Sequence, residues 1–514
     1  MTGSPGGGPP PTARLRWTSH VFDSRLRETD SYSSDGTHTH TDWSDCCGVE
    51  ATVDAAGVRT EYDHDALGRV HVQRRIGAGG QPTVTTTFDY DKVGSQAGCR
   101  LETTTTTADG GSSSLVTSRE IDGLGRVRSE TDAAGLVTTY DYRPDANGPR
   151  RVTVTRPDGG TEEAVYYVDG RTKSVAGSGV IGRTYDYGVD VNQDGTTTGQ
   201  YTSVTTGGIT TKTAYDFVGR VAREERAAYS SGTLMTRYHY NQLGRLERVE
   251  TPGQGDTWYR YDDLGNVLFS GLDVDGDGSV NETNSASTDR ITMTDTSYKL
   301  HDGQWWAETT TSVFVDGSST PVIIGTQRQR LTGYSCSEAE TVVRETETED
   351  AYGNITNSTT SIDRAAKTTI ERVDNPDTNA GSIVASVTIN GLLQSTTDKA
   401  GVTHTFAYDD LGRRTEVRRE AGGTPARTIV EITHYNNSGQ VDYTDNEHGD
   451  RTNYEYYPYD PNGQLGAGRL KSATNADSKT TYYDYDYRGQ VVHAWGDVPQ
   501  GATDRRARLR VEIR

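Results

Sequence analysis

Threonine, tyrosine and valine alternate with charged or polar residues in short runs along most of this chain. Examples are RTEY within DAAGVRTEY from Asp54, VTTYDY within DAAGLVTTYDY from Asp132, VTHTFAY within DKAGVTHTFAYD from Asp398 and RTNYEY within NEHGDRTNYEY from Asn446. A period of two sends neighbouring side chains to opposite faces of a strand, so that one row, often aromatic, lines a single side of a ribbon. Asp or Asn precedes each run, with Gly three residues later. The Asp or Asn side chain opens a turn by bonding its own backbone, and Gly supplies the positive φ that the turn needs. The pattern predicts strand, turn, strand, turn.

A second motif closes the hairpins. It reads YDHDALGRV from Tyr62, YDFVGRV from Tyr215, YHYNQLGRL from Tyr238, YDDLGNV from Tyr261 and YDDLGRR from Tyr408, with partial copies IDGLGRV from Ile121, HYNNSGQV from His434 and YDYRGQV from Tyr485. From Gly219 to Gly244 is 25 residues, from Gly244 to Gly265 is 21, and from Gly412 to Gly439 is 27, lengths that hold two short strands and two turns. One such hairpin cannot bury its own face and must stack on neighbours. The Arg after the turn Gly can lay its guanidinium on a neighbouring Tyr ring while its tip stays wet. The residue that follows (Val70, Val127, Val221 or Leu246) then turns inward.

These residues resemble the YD repeats of the RHS family, known from bacterial Rhs proteins, the shell components of insecticidal toxin complexes and animal teneurins. The resemblance extends roughly from Cys46 to Trp495. It implies an all-β fold of stacked β-hairpins that form a spiral sheet, part of a hollow shell that in the toxin members encloses a polypeptide. The role it implies is a non-catalytic scaffold, with other segments of a YD-repeat shell or an enclosed polypeptide as partners. It also implies an extracellular or cell-surface location.

Composition fits a thin wall. Over 514 residues, hydrophobic side chains make up 32% and mean hydropathy is -0.75, low for packed globular cores. Thirty Tyr and 58 Gly at patterned positions argue against disorder, which is poor in aromatics. A polar β-sandwich would space its strands similarly. The formal charge of -21 disfavours a nucleic-acid partner, which needs a basic stripe; DRRARLRVEIR from Asp504 is the one basic run. No stretch approaches the roughly 20 apolar residues of a membrane-spanning helix. The opening MTGSPGGGPPPTARLRW has no apolar signal-peptide core and reads as a flexible tail, so the chain is expected to be a fragment of a longer protein.

The sharpest chemical motif is GLDVDGDGSVNETN from Gly271. Asp273, Asp275 and Asp277 fall at positions 1, 3 and 5 of a calcium loop, with Gly278 at 6, Ser279 at 7 and Asn281 at 9. Position 12 is Asn284 where a bidentate Glu is usual, so Ca2+ would be held weakly. The other reading is an acidic surface turn. A poorer copy, VDVNQDGTTTG, places Asp190, Asn192 and Asp194 at positions 1, 3 and 5. The four cysteines, Cys46, Cys47, Cys99 and Cys336, leave disulfide connectivity open. THTHTDWSDCC offers His38 and His40 beside Cys46 and Cys47, yet the spacing matches no standard zinc site, and an ordinary strand is expected.

No local nucleophile motif accompanies the scattered histidines, among them His404, His434 and His493, and no enzyme activity is expected. Asp460, Pro461 and Gly463 stand in the order of the DPxG element found in the self-cleaving cores of some shell-forming relatives, but a repeat unit continues beyond them, so a hairpin turn is expected. The chain divides into a tail with the first strand (1–45), repeat hairpins (46–270), diverged repeats or an insertion carrying the acidic loop (271–350), repeat hairpins (351–497) and a basic tail (498–514). The functional expectation is a shell segment of a secreted or cell-surface protein serving toxin encapsulation. The alternative is a cell-surface adhesion module that binds glycan or protein through exposed Tyr and Trp. The last unit, ending at Trp495, is expected to leave an open strand edge that frays or self-associates.

Overall fold

The computed structural model describes residues 16–46, 48–95, 98–143, 150–191, 197–228, 232–263, 265–280, 289–314, 320–334, 341–374, 383–421, 427–461 and 463–496. They form 38 β-strands, from Thr18–Phe22 to Val491–Gly496, and no helix. Each strand pairs antiparallel with its neighbours in sequence, which makes one uninterrupted meander. The sheet begins earlier than the repeat signature. Three strands, Thr18–Phe22, Glu28–Ser33 and His38–Trp43, lie within the expected tail. Their first turn lacks the signature, because Leu26, at φ 62, stands where other units have Gly. The stretch 271–350 keeps to the sheet. Its strands Arg290–His301, Gln304–Phe314, Pro321–Arg330 and Val342–Asp350 continue the same ladder.

Each signature turn has one construction. At Asp65, Oδ1 accepts the backbone N–H groups of Leu67 and Arg69 (both 2.9 Å) and Oδ2 accepts Arg69 Nε (2.7 Å). The Gly68 N–H bonds to the Asp65 carbonyl at 2.9 Å, with Gly68 at φ 77. The pairing shifts register at this point, as it does beside Tyr215, Tyr240, Tyr261, Tyr408 and Tyr485. That is a tight turn followed by a glycine bulge, which adds right-handed twist. The same carboxylate clamp recurs at Asp122, Asp216 and Asp409. The backbone N–H and guanidinium of Arg69 hold the Asp65 carboxyl below the usual range. Its contribution to stability is therefore present above about pH 4 and lost as pH falls below that.

The clamped Arg locks one unit to the next. Arg69, Arg126, Arg220 and Arg413 lie 4.4, 4.6, 4.3 and 4.7 Å from the ring centroids of Tyr90, Tyr142, Tyr240 and Tyr435. Three of these Tyr hydroxyls then donate back to the carbonyl just after the Arg: Tyr90 to Val70 (2.6 Å), Tyr240 to Val221 (2.8 Å) and Tyr435 to Arg414 (3.1 Å). Where the turn has Asn241 in place of Asp, Arg245 swings to the Asp262 carbonyl and sits 5.6 Å from Tyr261. The carboxylate thus positions the cation over the ring.

After more than 300 residues the sheet returns to its own edge. Arg344 donates to the Asp35 carbonyl (3.1 Å) and to Thr37, and Arg364 to the carbonyls of Ala55 (3.2 Å) and Gly36. Gln81 Nε2 reaches the Ile389 carbonyl (2.8 Å), and Asn390 Nδ2 reaches that of Ile76 (3.1 Å). Partners at this seam lie 307 to 328 residues apart. Turn sits on turn, and glycine makes room: a Cβ at Gly57 would strike the Arg364 backbone, and one at Gly159 would lie 3.3 Å from Gly463. Little else is enclosed. The largest fully buried side chains among the described residues are Val342 and Asp190, as expected of a wall one sheet thick.

Two changes test this construction. Gly244 and Gly412 have φ of 79 and 81, so Gly244→Val or Gly412→Val should each destabilise by at least about 1 kcal/mol, seen as a lower denaturation midpoint. Tyr240→Phe should cost about 1 kcal/mol by freeing the Val221 carbonyl. Hydrogen exchange in Val221–Ala227 should then quicken roughly fivefold, while distant hairpins stay unchanged.

Candidate functional site

The acidic loop lies between the strands Val267–Leu272 and Arg290–His301. Beneath it sits a small apolar cluster of Phe269, Val280 and Ile291, against which Trp258, Leu268, Met293 and Phe314 pack. The structure brings Asp273, Asp275 and Asp277 together, with one carboxylate oxygen of each within 4.8 Å of the others. Asp273 is buried; its two oxygens accept the N–H groups of Gly276 (2.7 Å) and Gly278 (2.9 Å). Asp275 and Asp277 are exposed and cap the next turns, Asp275 from the Asp277 N–H (3.1 Å) and Asp277 from the Ser279 N–H and hydroxyl (both 2.8 Å). Asn281 and Asn284 lie outside the described residues.

Two further acids, which the sequence motif does not contain, brace the backbone of the loop. Asp289, buried, accepts the Val274 N–H at 2.9 Å, and the Asp256 carbonyl accepts the Asp273 N–H at the same distance. Burial pushes the Asp256 carboxyl up, against the pull of Arg248, and the charges of Glu250 and Asp273 push it further. Three carboxylates therefore meet in one short loop, with backbone N–H groups offsetting part of their repulsion. Neither Asp256 nor Asp289 has a local signature; burial and strand pairing alone bring them in.

Asp190, the first residue of the poorer calcium motif, is buried with Oδ1 2.8 Å from Lys212 Nζ and 3.0 Å from Arg223. The strands Ile209–Tyr215 and Val221–Ala227, two and three places along the ladder, thus already supply its counter-charge. Asn192 and Asp194 lie outside the described residues.

The histidines of THTHTDW form a carboxylate ladder. His38 Nε2 and His40 Nδ1 meet the same Asp30 oxygen at 3.0 and 2.7 Å, His40 Nε2 meets Asp42 at 2.8 Å, and Asp42 continues to Arg59 at 3.0 Å. His38 also stacks on Tyr32, with ring centroids 4.3 Å apart. Cys46 is disulfide-bonded, and Cys99 is free. Cys47 and Cys336 lie outside the described residues. Asp460 and Gly463 form a turn, the Gly463 N–H bonding to the Asp460 carbonyl at 2.9 Å, and Gly463 packs on Gly159 at the seam. The surface expected of an adhesion module is largely spent within the wall. All six Trp are half-buried, and many Tyr rings lie under Arg with their hydroxyls bonded to backbone.

No protein-family model matches the chain, and no curated protein matches it. Among solved structures, the crystal structure of TcdB2-TccC3 matches with 14% identity and a TM-score of 0.50, covering 94% of this chain and 29% of that one. The crystal structure of TcdB2-TccC3 without its hypervariable C-terminal region matches with 13% identity and a TM-score of 0.50, covering 93% of this chain and 30% of that one. The likeness is one of fold, and the chain spans less than a third of either.

The histidine ladder has a testable pH dependence. Burial disfavours the His40 cation, but its bonds to Asp30 and Asp42 outweigh this and raise its pKa above the ordinary 6.5. Its stabilising contribution is full below about pH 6.5 and is lost as pH rises through the folded-state value. Nuclear magnetic resonance should find His40 titrating above 6.5, with hydrogen exchange in Glu28–Trp43 quickening over the same range. Asp30→Asn should lower that midpoint.

Proposed function

We propose that this chain is a non-catalytic scaffold, a segment of the wall of a YD-repeat shell in a secreted or cell-surface protein that encloses a polypeptide such as a toxin. The observation that carries this reading is the seam. One unbroken antiparallel sheet coils until its turns rest on its own earlier turns, with almost no buried core. A sheet built this way bounds a space rather than filling it. The fold shared with TcdB2-TccC3 supports the same reading. The disulfide at Cys46 fits an oxidising compartment, and the net charge of -21 sets nucleic acid aside as cargo. Partners on this reading are other segments of the same kind of wall and the enclosed chain.

Electron cryo-microscopy of the purified protein should give class averages showing an arc of wall, about one sheet thick, around a solvent-filled centre. A filled compact body would overturn the shell reading.

The acidic loop, on this reading, is a calcium-stabilised turn of the wall that takes no part in chemistry. Asp273, Asp275 and Asp277 would hold the ion. Calorimetry at millimolar calcium should detect binding that Asp273→Ala together with Asp275→Ala abolishes. If wild type and double variant titrate alike, the loop is an acidic turn and no more.

A further inference from the structure

The turn that the second coil grips is the tip of the histidine hairpin. Its two strands, Glu28–Ser33 and His38–Trp43, pair Asp30 with His40, Ser31 with Thr39 and Tyr32 with His38. Residues 34–37 close the tip. There the Ser33 N–H bonds to the Thr37 carbonyl (2.9 Å), the Gly36 N–H to the Ser33 carbonyl (3.0 Å) and the Thr37 N–H to Asp35 Oδ1 (2.9 Å). Two arginines of the second coil hold the result. Arg344, in Val342–Asp350, donates to the Asp35 carbonyl and the Thr37 hydroxyl, while Arg364, buried in the turn after Ile355–Asp363, donates to the Gly36 carbonyl. Both need the tip in one shape, and buried His38 follows Thr37 directly.

His40 is bonded as a cation would be. Its Nδ1 meets Asp30 and its Nε2 meets Asp42, so both ring nitrogens face carboxylate oxygens. An imidazolium donates from both, whereas a neutral ring donates from one and turns a lone pair on the other carboxylate. Among the described residues, charge around this ring is mixed. His38 shares the Asp30 oxygen, and Glu28, on the strand of Asp30, is taken by His20 at 3.0 Å. Val21 lies opposite Asp30. Across the sheet, Val53 and Ala51 stand opposite His40 and Asp42, and beyond them Arg59 bonds both Asp42 and Glu61. At the tip, Asp35 is 3.5 Å from Arg344. Burial works against the His40 cation, but Asp30 and Asp42 outweigh it and raise its pKa.

We propose that this hairpin is a proton-sensitive latch of the seam. While His40 is an imidazolium, the hairpin keeps its register and offers its tip to Arg344 and Arg364; when His40 is neutral, the hairpin loosens and the second coil is held less tightly. The seam therefore tightens as pH falls through the His40 midpoint and relaxes as pH rises through it. The effect is reciprocal, because a closed seam favours the cation by as much as the cation favours closure. Coil and seam suffice for it, with or without an enclosed cargo.

Nuclear magnetic resonance of His40 and hydrogen exchange at the seam, followed from about pH 5 to 9, test the latch. Arg344→Met with Arg364→Met releases the grip while keeping apolar stems in place, and should lower the His40 midpoint by about half a pH unit, equivalent to about a threefold change in seam closure. Direct electrostatics has the opposite sign, since removing two nearby cations favours a third. A midpoint that rises or stays in place overturns the latch. The second readout is the turn at 364–367, where the Ala366 N–H bonds to Asp363 and the Lys367 N–H to the Arg364 carbonyl. In wild type these amides should exchange about threefold faster, beyond the general base-catalysed rise, as pH passes the His40 midpoint. In His40→Gln that extra step should vanish. Exchange that follows pH alike in both proteins overturns the latch as well, and this comparison decides by itself if circular dichroism shows the double arginine variant unfolded. A seam indifferent to His40, in a particle that microscopy shows as an arc, would leave the shell reading standing.

Discussion

The guanidinium held between a turn carboxylate and the next unit's tyrosine is the interaction on which the wall depends. A two-stranded hairpin is marginal in water, and this chain has little apolar surface to commit. The clamp at Asp216 combines a charge-assisted bond, a cation over a ring and a hydroxyl-to-carbonyl bond. Individually these contribute on the order of 1 kcal/mol; repeated along the sheet, they replace the core the molecule lacks. The departures show the order of cause. With Asn241 the arginine loses its carboxylate and drifts from the ring, yet the Tyr261 hydroxyl still donates to the Leu246 carbonyl at 2.7 Å, so the turn places the cation while the hydroxyl bond ties the units by itself.

A second constraint acts at right angles to the first. Clamps join neighbours along the ribbon, and the seam joins coils across it. In a linear array each unit feels its neighbours alone, and stability is a sum of local terms. The bonds from Arg344, Arg364 and Asn390 tie residues more than 300 positions apart, so hairpins in the seam are held on more sides than those beyond it. Glycine at the contact is required sterically, because turn backbones there approach too closely for a Cβ.

Among the described residues, the acidic loop is the one place where the wall thickens into a packed cluster. Phe269, Val280 and Ile291 supply the apolar floor that burying Asp273 and Asp289 demands, since carboxylates out of water need hydrogen-bond donors fixed in place. Backbone N–H groups do this for Asp273 and Asp289. At Asp190 two cations from strands further along the ladder, Lys212 and Arg223, do it instead. Two motifs alike in sequence are thereby held by different chemistry.

Strand content, hairpin order and turn type were determined locally and could be read from residues. Period-two alternation selects strands, Asp with a following Gly selects the turn, and the Arg–Tyr spacing foretells the clamp, because all these partners lie within one or two units. Ahead of residue 46 a single strand is legible, because Leu26 takes the place of the first turn's Gly, and across 290–350 the signature gives way to longer plain alternation, which leaves diverged repeats or an insertion open. Among candidate site residues, Asp273, Asp275 and Asp277 were legible because a single loop brings them together. Asp256 and Asp289, the cations facing Asp190 and the partners of His40 were not, since cross-strand pairing decides them. The seam was beyond any sequence pattern. Leu67 and Leu411 occupy the same place in the same motif, and what makes one bare and the other covered is the accumulated twist of some twenty strands, which returns one margin to the other.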